Sequence, residues 1–251
     1  MQKTNPQPTP DWTPLTETKW FQRGKRLLRW SGFLLLGCAV ATLLGFLVLK
    51  SQPLPEPNQP LTTRIYSDDG KLIDELHNGE KREYVPLERI PSGLVNATIS
   101  VEDRDFYNHF GISPRGILRA AWTDLKQMAI VEGASTITQQ LARNLYLNHD
   151  RTWMRKLKEI KYALQLEIHY DKDEILEMYL NEIYFGHQAY GVGQAANMFF
   201  GKKPEELTVA ECALLAGIPK GAGTYSPYLH PDNAKERQLK SDGEGRALNR
   251  G

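Results

Sequence analysis

Twenty consecutive uncharged residues, Trp30–Leu49 (WSGFLLLGCAVATLLGFLVL), constrain this chain more than any other feature. At roughly 1.5 Å per residue, a helix of that length covers about 30 Å, the thickness of a bilayer's hydrocarbon core. Lys19, Arg23, Lys25, Arg26 and Arg29 stand before the run, and only Lys50 follows it closely. The positive-inside rule then makes residues 1–29 a cytoplasmic tail and 30–49 a single-pass transmembrane helix. Everything after the helix lies on the outer face of the cell membrane. The competing reading is a cleaved secretory signal. The run is longer than an ordinary signal's apolar region, and no small-x-small cleavage site follows it before the prolines.

The formal net charge of +1 over 251 residues hides a split. Residues 1–50 carry seven Lys/Arg against two Asp/Glu, and residues 51–251 carry 24 against 28. The outer part is mildly acidic and offers nucleic acid no electrostatic footprint. Cys38 lies in the apolar run and Cys212 in an apolar helical stretch, so no internal disulfide is expected. No zinc-ligand cluster is visible either.

Residues 50–61 are rich in proline and read as a stiff spacer. Thr62–Ser67, Lys71–Leu76 and Lys81–Val85 are short runs separated by Asp69-Gly70 and Asn78-Gly79, which predicts a small β meander over 62–86. From Ser92 onward the period is helical. Ser113-Pro114 opens a helix over Arg115–Met128, Ser135 or Thr136 caps Ile137–Tyr146, and Asp171 or Asp173 starts Glu174–Ile183. Trp153, Leu157, Ile160 and Leu164 give Trp153–Ile168 an apolar stripe. Gly191–Phe199 follows, then a run to Ala216 with Thr208 and Glu211 as a capping box. Residues 239–251 have no periodicity and read as a disordered or truncated tail.

Four strings could carry chemistry. In 102–111 (EDRDFYNHFG), Glu102 ends an apolar helix, where partial desolvation would raise its pKa and suit it to proton abstraction. From spacing alone, a surface helix terminus with a salt bridge to Arg104 is the plainer reading. In 133–140 (GASTITQQ), neutral donors could line a site for sugar or phosphate oxygens, or could simply start a helix, and Arg143 follows one turn on. Arg155 and Glu159 share a helical face, with Lys156 beside them, either as a plain salt bridge or as an arginine poised for phosphate. Asn181, near the end of its helix, reads as a structural brace. Nucleotide-binding glycine loops, serine-hydrolase elbows and zinc-protease motifs are missing from the sequence.

In this order the strings resemble the peptidoglycan glycosyltransferase domain of bifunctional penicillin-binding proteins and monofunctional transglycosylases, glycosyltransferase family 51. The matching elements are Glu-Asp-x-x-Phe-x-x-His-x-Gly at 102–111, Gly-x-Ser-Thr-Ile-Thr-Gln-Gln at 133–140 and Arg-Lys-x-x-Glu at 155–159. Ile175-Leu176-Glu177-x-Tyr179-Leu180-Asn181 and Leu215-Ala216-Gly217-Ile218-Pro219 complete the set. The chain departs from the family at Gly221-Ala222-Gly223-Thr224 and after Glu236, where the usual final helix gives way to a glycine-containing tail.

The resemblance implies an all-α, lysozyme-like bilobal domain over 62–238, with a small N-terminal β element, preceded by a single transmembrane helix. It implies polymerisation of lipid II into β-1,4-linked glycan strands at the bacterial membrane. Glu102 matches the catalytic base and Glu159 the second carboxylate. Asp103, Phe106, His109, Ser135, Thr136, Gln139, Gln140, Arg143, Arg155, Lys156 and Asn181 match substrate-binding positions. Both arginines are expected in the cleft that holds Glu102. No cofactor is required, although magnesium or manganese assists some members. The partners implied are lipid II, the growing glycan strand, membrane lipid and cell-wall synthesis proteins. A hydrophobic jaw is expected in Ile112–Glu132. The rival readings are a lysozyme-like lytic hydrolase and a non-catalytic membrane-bound scaffold. The chain reads as either a monofunctional enzyme or the front of a bifunctional one.

Overall fold

Helix α1, Lys19–Ser51, is what the uncharged run builds, and within it Arg23–Ser51 is long and apolar enough to cross a membrane. The computed structural model of the chain describes residues 19–57, 63–66, 72–76, 84–127, 135–148 and 152–248. Residues 1–52 form one unit and 53–251 another. In the first, no part of the apolar window is covered by protein. Ser31 and Thr42 turn their hydroxyls back to the Leu28 and Cys38 carbonyls at 2.9 and 2.7 Å, so these polar side chains are satisfied within the helix.

The second unit opens with β1, Thr63–Tyr66, paired antiparallel to β2, Leu72–Leu76, with an irregularity between Ile65 and Tyr66. Among the described residues eight α-helices follow: α2 (Ser92–Glu102), α3 (Pro114–Gln127), α4 (Ile137–Tyr146), α5 (Trp153–His169), α6 (Lys172–Glu182), α7 (Gly191–Phe200), α8 (Val209–Gly217) and α9 (Pro231–Leu248). Among them α2 packs with α8 and α9, α4 packs with α5 and α6, and α7 lies against α6. Leu94, Leu141, Leu166, Leu176 and Leu215 are fully buried in one continuous core, at roughly 1.5–3 kcal/mol each.

The helix starts follow their capping residues. Thr136, Asp171 and Thr208 each accept the backbone N–H three residues on, and Gln139, Glu174 and Glu211 return the bond to the cap's own N–H. Ser113 Oγ accepts from Gly116 N at 3.0 Å at the start of α3. Between α6 and α7 the chain turns so tightly that a Cβ on Gly191, at φ +78°, would lie 2.4 Å from the Asn181 carbonyl oxygen. Only glycine fits there.

Three expectations are corrected. Of the third meander run, residues 81–83 lie outside the described residues, and Tyr84 and Val85 are not in a strand. Val85 instead bonds the Asn181 amide through both its N–H and its carbonyl, at 2.8 and 2.9 Å, and Leu87 N–H donates to Glu177. The segment is thus held by α6 side chains, with no ladder. On α5, Trp153 is 90% exposed and Leu157 62%, while Glu159, Ala163 and Leu166 are buried. A carboxylate occupies the inward position, so hydropathy pointed to the neighbouring stripe.

The expected loose tail is the third correction, since residues 239–248 continue α9. The inward residues of this helix are Ala234, Arg237 and Ser241, spaced by three and four and all buried. None is a large apolar residue, which is why no periodicity showed. Residues 249–251 lie outside the described residues.

Candidate active site

Glu102 closes α2, and its side chain is 10% exposed. Its Oε2 accepts a 2.9 Å hydrogen bond from Gln140 Nε2 on α4, and the Gln140 Oε1 accepts from the Tyr179 hydroxyl at 3.3 Å. Tyr179 on α6 is fully buried, and burial pushes its hydroxyl pKa well above the ordinary value, with the Glu102 charge adding to the rise. It therefore stays a donor, which fixes the Gln140 amide with its NH₂ toward Glu102. Glu102 Oε1 makes no hydrogen bond, and the Arg237 guanidinium of α9 stands 3.6 Å away, at ion-pair distance.

Burial raises the Glu102 carboxyl pKa above its ordinary value. The Gln140 hydrogen bond and the charges of Arg237, Lys220 and Arg143 pull against that rise without cancelling it. A carboxylate in this balance remains ionisable and is basic enough to take a proton.

Glu102 borders a cavity of about 410 Å³ whose wall also carries Arg104, Arg119, Arg143, Lys220, Arg237 and Lys240. Ser135, Gln140, Asp103 and Pro219 complete much of the rest. Low dielectric and several cations in one concavity favour an anionic ligand. Among the described residues no three His, Cys, Asp or Glu come together, and both Asp103 oxygens are already engaged.

The expected site residues divide into several groups. Glu102, Asp103, Ser135, Gln140 and Arg143 reach the cavity wall. Asp103 is 6% exposed and spans two elements, accepting Ile137 N–H at 3.0 Å in the first turn of α4 and meeting His109 Nε2 at 2.9 and 3.0 Å. Asp103 and His109 therefore brace the end of α2 against α4. Phe106 is fully buried beneath Lys172, whose ammonium lies 4.4 Å from the ring centroid, and so belongs to the core rather than to a ligand. Gln139 is spent in the Thr136 capping box, and the Thr136 hydroxyl donates to the Gly111 carbonyl at 2.7 Å. Asn181 holds the Val85 segment.

The Glu159 cluster lies beside the cavity. Glu159 is 1% exposed, with Arg155 Nη1 at 3.2 Å and Lys156 Nζ in contact with its other oxygen. Lys156 also donates to Ser135 Oγ at 3.0 Å, and this links Glu159 to the cavity wall. Arg155 and Glu159 are not among the cavity's lining residues, contrary to the expectation that both arginines share the cleft with Glu102. The reason is local: Arg155 folds back along α5 onto Glu159, whose burial demands a counter-charge.

Sequence reasoning missed Arg237, Lys220, Lys240 and the Tyr179 hydroxyl. Lys220 had a signal, a lysine directly after the helix-ending Pro219. Tyr179 lies among the apolar residues of α6, where a hydroxyl carries no separate signal, and Arg237 is hidden because α9 lacks an apolar stripe.

A family model described as Transglycosylase matches residues 69–241. The chain belongs to the transglycosylase family. Penicillin-binding protein 2D of Bacillus subtilis (strain 168) is 50% identical over 206 residues, covering 82% of this chain and 30% of that protein. Penicillin-binding protein 1A of Escherichia coli (strain K12) is 50% identical over 176 residues, or 70% of this chain and 20% of its own length. Penicillin-binding protein 1A of Aquifex aeolicus (strain VF5) is 42% identical over 213 residues, 81% of this chain and 29% of that protein. The chain thus spans less than a third of these transglycosylase relatives.

Proposed function

We propose that this transglycosylase-family chain polymerises lipid II into β-1,4-linked glycan strands. The carrying observation is the buried Glu102 carboxylate, whose Oε1 makes no hydrogen bond, at the border of a cavity whose other charged groups are mostly cationic. Glu102 takes the proton from the 4-hydroxyl of the acceptor GlcNAc as that oxygen attacks C1 of the donor MurNAc. The C1–O bond to the pyrophosphate breaks, and the polyprenyl pyrophosphate leaves with the bonding electrons. Attack opposite the leaving group inverts the donor's α-linkage to β. Arg143 and Lys220, already fixed in the cavity wall, meet the charge that develops on the pyrophosphate. Lys156 and Ser135 extend that wall, while Arg155 and Glu159 hold Lys156 in place.

The same geometry disfavours a hydrolase. Hydrolysis of a glycosidic bond uses two carboxyl groups flanking it, one of them a proton donor. Asp103 is committed to Ile137 and His109, and Glu159 to Arg155 and Lys156. In this reading α1 anchors the chain as a single pass with Arg23, Lys25, Arg26 and Arg29 on the cytoplasmic side, and the catalytic unit acts outside. Strands β1 and β2 are the small β element of a lysozyme-like bilobal domain. The exposed Ile117, Leu118 and Trp122 on α3 are the apolar route by which a polyprenyl chain reaches the cleft.

Incubating the full chain with lipid II in detergent tests the proposal. Long glycan products are expected, and Glu102→Gln should lower the rate by about 10²–10⁴ with folding intact. Soluble fragments released from purified sacculi, with no polymer from lipid II, would instead establish the lytic reading. Inactivity in both assays would leave a scaffold.

A further inference from the structure

We infer that Arg237, on α9, is a positioning residue for Glu102: it holds the carboxylate ionised at the cavity border through Oε1 while Gln140 holds Oε2. The inference rests on the proposed role of Glu102 as the base. Three observations carry it. The two side chains are 6% and 10% exposed, so a 3.6 Å ion pair between them is poorly screened by water. Arg237 Nε and Nη2 are buried and make no hydrogen bond, so the guanidinium has Glu102 Oε1 as its nearest anionic neighbour rather than a carbonyl cage. Its stem is fixed as well. It lies against Gly217 of α8, where a Cβ would come within 2.7 Å of Arg237 Cγ, and its guanidinium carbon is 6.0 Å from the Tyr225 ring centroid.

Glu102 meets charged or titratable groups from every side. Asp103 and Arg104 follow it in the chain, and Arg119 comes from α3, Arg143 from α4 and the Tyr179 hydroxyl from α6. Lys220 comes from the turn after α8, and Arg237 and Lys240 from α9. Among the cations Arg237 exerts the largest pull on the carboxyl. Removing it leaves the base with the burial that disfavours its charged form and with weaker compensation.

The experiment is the pH profile of glycan synthesis by the full chain in detergent, for the parental protein, Arg237→Gln and Arg237→Lys. Arg237→Gln should move the acid limb up by about one pH unit, a tenfold loss at fixed pH below the limb that recovers as pH rises. Arg237→Lys should restore most of the limb. A residue that only holds the fold, or that only binds pyrophosphate, would lower turnover or raise KM equally at every pH. An unmoved limb therefore overturns the proposal. Gly217→Ala supplies a second variant should Arg237→Gln not fold. Its methyl displaces the arginine stem without removing a charge, and the limb should move the same way. The Glu102 carboxyl can also be titrated without substrate, by infrared difference against Glu102→Gln. A parental chain that makes no polymer removes the catalytic reading, yet this titration still decides whether Arg237 governs the carboxyl. An unchanged Glu102 titration in Arg237→Gln overturns the inference.

Discussion

Replacing Asp103 by alanine removes three contacts at once, two to His109 Nε2 and one to Ile137 N–H. The Ile137 amide is an unpaired donor of the first helical turn in a fully buried residue, and losing its charge-assisted acceptor costs about 1–3 kcal/mol. The His109 side chain is 5% exposed, and stranding its Nε2 costs a similar amount. The two together come to about 2–6 kcal/mol, against about 5–15 kcal/mol for a whole domain. With a urea dependence of about 2 kcal/mol per molar, the unfolding midpoint should fall by roughly 1–3 M. Asp103→Asn keeps an acceptor for Ile137 and should lose about a third of that. The assay is urea unfolding of the full chain in detergent, followed by far-UV circular dichroism. An Asp103→Ala midpoint within about 0.3 M of the parental one would refute the reasoning and make the bracket between α2 and α4 incidental.

Glu102 carries a stability cost that depends on pH. Below the ordinary carboxyl value of 4.5 it is protonated in folded and unfolded chains alike; above 4.5 the folded chain binds the extra proton and stability falls as pH rises through the raised pKa. Glu102→Gln should therefore unfold at higher urea than the parent at neutral pH, and that gain should vanish in acid; no gain at neutral pH would contradict the burial argument. Arg143 lines the cavity and Arg155 does not, so Arg143→Lys should cost more than tenfold in turnover and Arg155→Lys only a few-fold, and equal losses would return Arg155 to the cleft. Trp122, Leu118 and Ile117 are exposed on α3, as are Trp153, Met154 and Leu157 on α5; making either set polar should weaken adsorption of the unit 53–251 to anionic vesicles, and unchanged adsorption would leave α1 as the sole membrane contact.

Much of the helical order was legible because its starts are local. Thr136, Asp171 and Thr208 announce their helices by the capping residue and its partner three positions on, information that needs no tertiary context. What failed was the direction each helix faces. The stripe led by Trp153 and Leu157 looked like core, although a buried Glu159 holds the inward side of α5. Alpha9 was unreadable for the same reason, since Ala234, Arg237 and Ser241 bury a charge and a hydroxyl where periodicity looks for leucine. Glu102, Gln140 and Arg143 could be found from motifs. Phe106, Asn181 and Gln139 share those motifs yet hold the fold, a division that spacing alone does not make. Arg237, hidden on α9, stands beside the carboxylate whose chemistry the motif announces.

The Tyr179 hydroxyl has one further consequence. A glutamine amide is nearly symmetric in shape, and turning it half a revolution exchanges a donor for an acceptor. Gln140 Oε1 accepts a hydrogen bond from the Tyr179 hydroxyl, at 3.3 Å. Half-turned, Gln140 would set a carbonyl oxygen against Glu102 Oε2, and attraction would become repulsion with hardly an atom displaced. The carboxylate opposes that turn from one end of the amide and the Tyr179 hydroxyl opposes it from the other. A phenol behind the cavity wall thus backs the sign of the interaction that holds the base.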